Sequence, residues 1–92
     1  MDSIRRFVYV LKNDWHPPRY YTGLTSDPVA RLAGHNQGDS LHTSTGRPWH
    51  VDVVIEFADE ARAVKFERYL KSGSGSAFAK RHLRWSFRQA LV

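Results

Sequence analysis

Phe7-Val8-Tyr9-Val10-Leu11 and Tyr20-Tyr21-Thr22-Gly23-Leu24 are two short β-branched and aromatic runs, and the way they are joined decides the fold. Each has the composition of a strand. The connector, residues 12–19, is polar and holds Pro17 and Pro18, which keep it from being helical. Neighbouring strands on a short connector pair as an antiparallel hairpin. Alternation puts Phe7, Tyr9 and Leu11 on one face of the first strand and Val8 and Val10 on the other. Both sets are apolar, so cover is expected on both sides. Tyr20 points away from Tyr21 and is expected in the core.

Beyond the hairpin, Asp27 can cap a helix and Pro28 suits its first position, with Gly38 as the stop. Val29, Leu32, Ala33 and Asn36 fall on one side of that helix, with Arg31 and His35 opposite. Residues 37–48 are rich in Ser, Thr and Gly and read as an ordered or mobile loop. Residues 50–57 alternate as a third strand, Val51, Val53, Ile55 and Phe57 against Asp52, Val54 and Glu56. A second helix starts at Ala58 or Asp59 and runs to about Lys71, with Ala63, Phe66 and Leu70 inward. The Ser/Gly run at 72–76 then breaks the chain. It leaves Ser76 to cap a third helix over 77–90, whose inner face is Ala79, Leu83, Phe87 and Ala90. The predicted order is β-β-α-β-α-α: a small α+β domain with a three-stranded antiparallel sheet flanked by helices.

The chain has 92 residues, 41% hydrophobic and 25% charged, which fits one small globular domain over 1–92 and argues against wholesale disorder. With no cysteine, disulfides, thiolate catalysis and thiolate zinc sites are excluded. No apolar run is long enough to span a membrane. The first residues lack a signal core, so a cytoplasmic location is expected. The net charge is +5. Residues 1–67 carry eight bases and nine acids, whereas residues 68–92 carry six bases and no acid. Arg81, Arg84 and Arg88 form a stripe at i, i+3 and i+7 beside Trp85. Such a stripe suits a phosphate backbone, so nucleic acid is the first partner to consider. A basic tail that only keeps the chain soluble fits the charge equally well.

The sequence resembles the GIY-YIG nucleases. Val8-Tyr9-Val10 stands in the first motif and Tyr21-Thr22-Gly23 in the second. Residues 25–36 resemble the first-helix signature, an arginine followed four residues later by histidine and then asparagine: Arg31, His35, Asn36. Residues 65–73 look like the helix that carries the family's metal-binding glutamate, here Glu67. The likeness runs over about residues 7–83 and looks closest to the short, single-domain bacterial branch, the excinuclease-like endonuclease domains. Val8 and Val10 depart from the Gly and Ile of the first motif and Thr22 from the Ile of the second; the tyrosines and Gly23 are kept.

The resemblance implies a metal-dependent endonuclease that hydrolyses phosphodiester bonds in DNA, with selectivity for branched, nicked or distorted structures and a link to repair or recombination. Glu67 supplies a hard oxygen for one Mg²⁺ or Mn²⁺. By its position alone it reads as the partner of Lys71 one turn on. Arg31 can clamp a phosphate with its planar fork of donors, and His35 can orient a tyrosine or a water. One tyrosine is implied as general base and the other positions water or phosphate, with Tyr9 favoured for the first role. A phenol titrates near 10, so Arg31 and the metal are expected to lower it. Gly23, Asn36, His42, Lys71, Arg81, Arg84 and Arg88 are expected to contact the substrate. Trp49 reads as a packing residue. Two other classes compete: a catalytically weak nucleic-acid-binding module of the same fold, and a protein-interaction domain. The full set Tyr9, Tyr21, Arg31, His35 and Glu67 favours the enzyme.

Overall fold

The computed structural model describes residues 4–84. In chain order they form β1 (Phe7–Asn13), β2 (Tyr20–Thr25), α1 (Pro28–Asn36), β3 (Trp49–Glu56), α2 (Glu60–Leu70) and α3 (Gly73–His82), the order expected from the sequence. The sheet runs β2-β1-β3 with both pairings antiparallel. β1 is therefore central, and Val8, Tyr9, Val10 and Leu11 are each only 1–2% exposed. Val8 packs with Ala63 and Leu70 of α2 and Ala79 of α3. Tyr9 and Leu11 pack on the other face with Trp49, Tyr21 and Leu32. Cover on both faces explains why this strand reads as continuously apolar. A register shift against β3 falls between Val10 and Leu11.

Tyr20 departs from its expected place in the core. It is half-buried, with the Arg84 guanidinium 4.6 Å from its ring centroid and Lys12 Nζ at 5.9 Å. β2 is an edge strand, and its outer end is covered by long cationic side chains rather than by a helix.

The third helix also begins earlier than expected. Ser72, not Ser76, is the N-cap, and its Oγ accepts from Gly75 N at 3.2 Å. The Ser/Gly run is thus the first turn of α3, and the two helices join with almost no linker. Gly75 explains this: a Cβ there would overlap the backbone carbonyl of Tyr69. Ser and Gly are chosen here for closeness between helices, which outweighs their poor helix propensity. Ala79 is buried and Leu83 packs against the core as expected. α3 ends at His82 with Leu83 as its C-cap, so Arg84 stands past the helix. Trp85, Phe87, Arg88 and Ala90 lie outside the described residues.

Two substitutions test this packing. Gly75→Ala is expected to destabilise the fold by about 1–3 kcal/mol or more through overpacking. Gly73→Ala, where a Cβ meets nothing within 4 Å, is expected to be neutral or stabilising by up to about 1 kcal/mol. Urea unfolding of both variants measures the difference.

Candidate active site

α1 starts as the sequence demands. Asp27 Oδ1 accepts from Ala30 N at 3.1 Å, and Pro28 fills the first turn, where its missing N–H costs nothing. The helix is turned differently from the expected wheel, however. Val29 is 80% exposed, whereas His35, expected on the outer side, is fully buried. The reason is hydrogen bonding. His35 Nε2 lies 2.8 Å from Tyr9 Oη, and Nδ1 lies 2.6 Å from Thr43 Oγ1. A ring with both nitrogens partnered can be buried at little cost, so polarity alone misplaces it.

Tyr9, Tyr21, Arg31, Glu67 and Lys71 line one open cavity of about 360 Å³. The hairpin supplies the phenols, α1 the guanidinium and α2 the carboxylate. The two phenol rings lie 6.2 Å apart, and Tyr21 sits 4.8 Å from the His35 ring. Arg31 lines the cavity with both tyrosines, and its interactions with them, that with Tyr9 foremost, hold its guanidinium above the usual arginine pKa. Glu67 is mostly covered, with its side chain 15% exposed, and Lys71 Nζ stands 2.5 Å from Oε2. Both readings of Glu67 thus meet in one place: the i,i+4 pair exists, and it lies on the cavity wall.

Gly23 faces Tyr9 across the hairpin in register. A Cβ at Gly23 would overlap the phenol ring of Tyr9, so this glycine is the floor on which the ring lies. That placement makes Tyr9 a buried phenol. Its pKa is pushed up to about 12, chiefly by burial, which outweighs the lowering by Arg31. The expected lowering, as far as it rested on Arg31, is corrected: the ring is too dry for one cation to prevail. Burial, together with the charge of Arg31, pushes His35 below the usual 6.5, so the ring is neutral at physiological pH.

The other expected contacts are placed elsewhere. Asn36 uses both ends of its amide on Trp49, accepting from its N at 2.6 Å and donating to its O at 3.0 Å. His42 is exposed in the loop, and its carbonyl accepts from Arg19. Arg81 lines a separate depression with Phe78 and His82, and Arg84 caps Tyr20. Arg88 is outside the described residues. Trp49 is a packing residue, 1% exposed, as read from the sequence. Sequence reasoning missed Arg5 and Arg68, which also line the cavity, and Thr43 behind it. Arg68 follows Glu67 directly and was legible as a neighbour; Arg5 and Thr43 lie in segments without periodicity.

The family profile described as the GIY-YIG catalytic domain matches residues 5–81. The chain is 37% identical to Structure-specific endonuclease subunit SLX1 of Malassezia globosa, over 83% of this chain and 17% of that protein. It is 35% identical to the protein of that name from Candida dubliniensis, over 83% of this chain and 28% of the relative. For the one from Meyerozyma guilliermondii the figures are 31%, 78% and 30%. The chain therefore spans less than a third of these relatives. All three are eukaryotic and give no support to a placement in a short bacterial branch. No solved structure matches the chain.

Gly23→Ala is expected to displace Tyr9 and to cost about 1–3 kcal/mol of stability, read by urea unfolding. The His35 ring is expected to titrate below 6.5 by NMR. Its neutral form then supports the fold fully above 6.5, and stability falls as pH drops below that value toward the folded-state pKa. A His35 midpoint at or above 6.5 contradicts the buried neutral ring.

Proposed function

Because the chain belongs to the GIY-YIG family, matching its profile over residues 5–81, we propose that it is a metal-dependent endonuclease that hydrolyses phosphodiester bonds in DNA. The observation that carries this reading is the meeting of Tyr9, Tyr21, Arg31 and Glu67 in one open cavity. The relatives named structure-specific endonucleases favour branched or otherwise distorted DNA as the substrate. The word subunit in their names favours action alongside a second protein.

The residues fit a divalent ion held partly by water. Among the described residues no group of three or more His, Cys, Asp or Glu could cage a metal. Glu67 would be the protein ligand, with waters and phosphate oxygens completing the shell, the manner in which Mg²⁺ is commonly held. Bound there, the ion would neutralise charge on the phosphoryl oxygens.

The chain's own residues account for the rest. Arg31, Lys71, Arg5 and Arg68 surround the cavity with positive charge and draw in the phosphate. Arg31 stands with both phenols in the cavity lining, and its planar fork of donors can take the phosphate. Burial holds Tyr9 as a neutral phenol, its pKa pushed up to about 12. It can take a proton from the attacking water only while giving its own to His35 Nε2, 2.8 Å away. In that step a water O–H bond breaks and a Tyr9 O–H bond forms, while the original Tyr9 proton passes to His35. The water oxygen bonds to phosphorus, and the far P–O bond breaks. The leaving oxygen is protonated from solvent, to which the cavity opens. His35 acts through Tyr9 and is a positioning and proton-holding residue.

Cleavage of labelled single-stranded, duplex, flap and four-way-junction DNA with Mg²⁺ or Mn²⁺ tests the proposal. Cleavage is expected on branched substrates, and Glu67→Gln is expected to lose it by about 10²-fold or more while still binding DNA. Equal cleavage by Glu67→Gln rejects the assignment. The rate is expected to fall on acidification below 6.5, as His35 becomes charged and can no longer accept a proton.

A further inference from the structure

Thr43 lies in the Ser/Thr/Gly-rich loop between α1 and β3, a segment with no periodicity to mark any one residue. It is fully buried. Its Oγ1 is 2.6 Å from His35 Nδ1, and its carbonyl accepts from Trp49 Nε1 at 2.9 Å. Trp49 in turn is held by the side chain of Asn36, the residue next to His35. These contacts close a ring: His35, Asn36, Trp49, Thr43 and back to His35. From outside, Arg19 donates to the carbonyls of His42 and Thr45, the residues near Thr43 on either side, and its guanidinium lies 5.6 Å from the Trp49 ring.

A neutral imidazole has one N–H, and here it has two polar contacts. One nitrogen must donate and the other accept. Arg31 lines the same cavity as Tyr9 and carries only donors, and its positive charge makes the phenol the better donor to His35. His35 Nε2 then accepts, and the ring's proton sits on Nδ1, aimed at Thr43.

We propose that Thr43 is a positioning residue for the cleavage site: its hydroxyl accepts from His35 Nδ1–H and so reserves Nε2 as the proton acceptor behind Tyr9. This rests on the endonuclease reading for its effect on rate, but not for its effect on the tautomer. An acceptor with only one place for the incoming proton is what the Tyr9 step requires. Thr43 thereby acts on the site through His35 without itself lining the cavity.

Two measurements test it. In ¹⁵N NMR spectra of the wild-type protein, His35 is expected as the single Nδ1–H tautomer. Thr43→Val, similar in shape but unable to accept, is expected to shift His35 to Nε2–H or to a mixture, and Thr43→Ser to restore the wild-type pattern. In cleavage assays Thr43→Val is expected to lower kcat by about 10–100-fold with KM changed by less than about threefold, and Thr43→Ser to stay near wild type. A wild-type Nε2–H tautomer overturns the proposal even if Thr43→Val fails to fold. So does a Thr43→Val protein with an unchanged tautomer and unchanged kcat. If wild type cleaves nothing, the endonuclease reading and the rate role of Thr43 both fall, while the spectra still decide whether Thr43 sets the tautomer.

Discussion

The burial of an uncharged histidine between two hydroxyls is the constraint on which the rest of the structure depends. His35 joins three separate pieces of chain: it stands on α1, touches Tyr9 of β1 at 2.8 Å and touches Thr43 of the loop at 2.6 Å. Both contacts must persist, because an unpartnered ring nitrogen in the interior costs about 1–3 kcal/mol. They fix the rotation of α1 and, with it, the direction of Arg31 one turn earlier. They also hold Tyr9 against Gly23, where no larger residue leaves room. The orientation of the guanidinium is thus a result of satisfying a polar group one turn on, on the same side of the helix.

The cavity itself is electrostatically lopsided. Glu67 is the only acid among its lining residues, faced by Arg5, Arg31, Arg68 and Lys71. Such a site attracts phosphate before any metal is considered. The ion pair with Lys71, one turn on, holds the mostly covered Glu67 carboxylate in place on the cavity wall.

The element order and the two-sided cover of β1 were legible in the sequence, because alternation and β-branching in Val8 to Leu11 have few other meanings. The convergence of Tyr9, Tyr21, Arg31 and Glu67 was legible only as what the resemblance to the nuclease family implies, a resemblance carried by the order and spacing of weak motifs. The rotation of α1 was not, because a helical wheel ranks residues by polarity and cannot see that Tyr9 and Thr43 will partner His35. The start of α3 was missed for a related reason. A Ser/Gly run normally signals a break, and only the neighbouring carbonyl of Tyr69 explains Gly75 inside a helix. The electrostatics of Tyr9 depended on how dry its site is, and that is a property of the assembled core.

Tyr9 and His35 are 2% and 0% exposed, so the groups that handle the proton in the proposed mechanism are also core residues. Activity and foldedness therefore draw on the same atoms. Substitutions at these two positions are thus expected to weaken the scaffold together with the site, in contrast to Arg31, which is exposed.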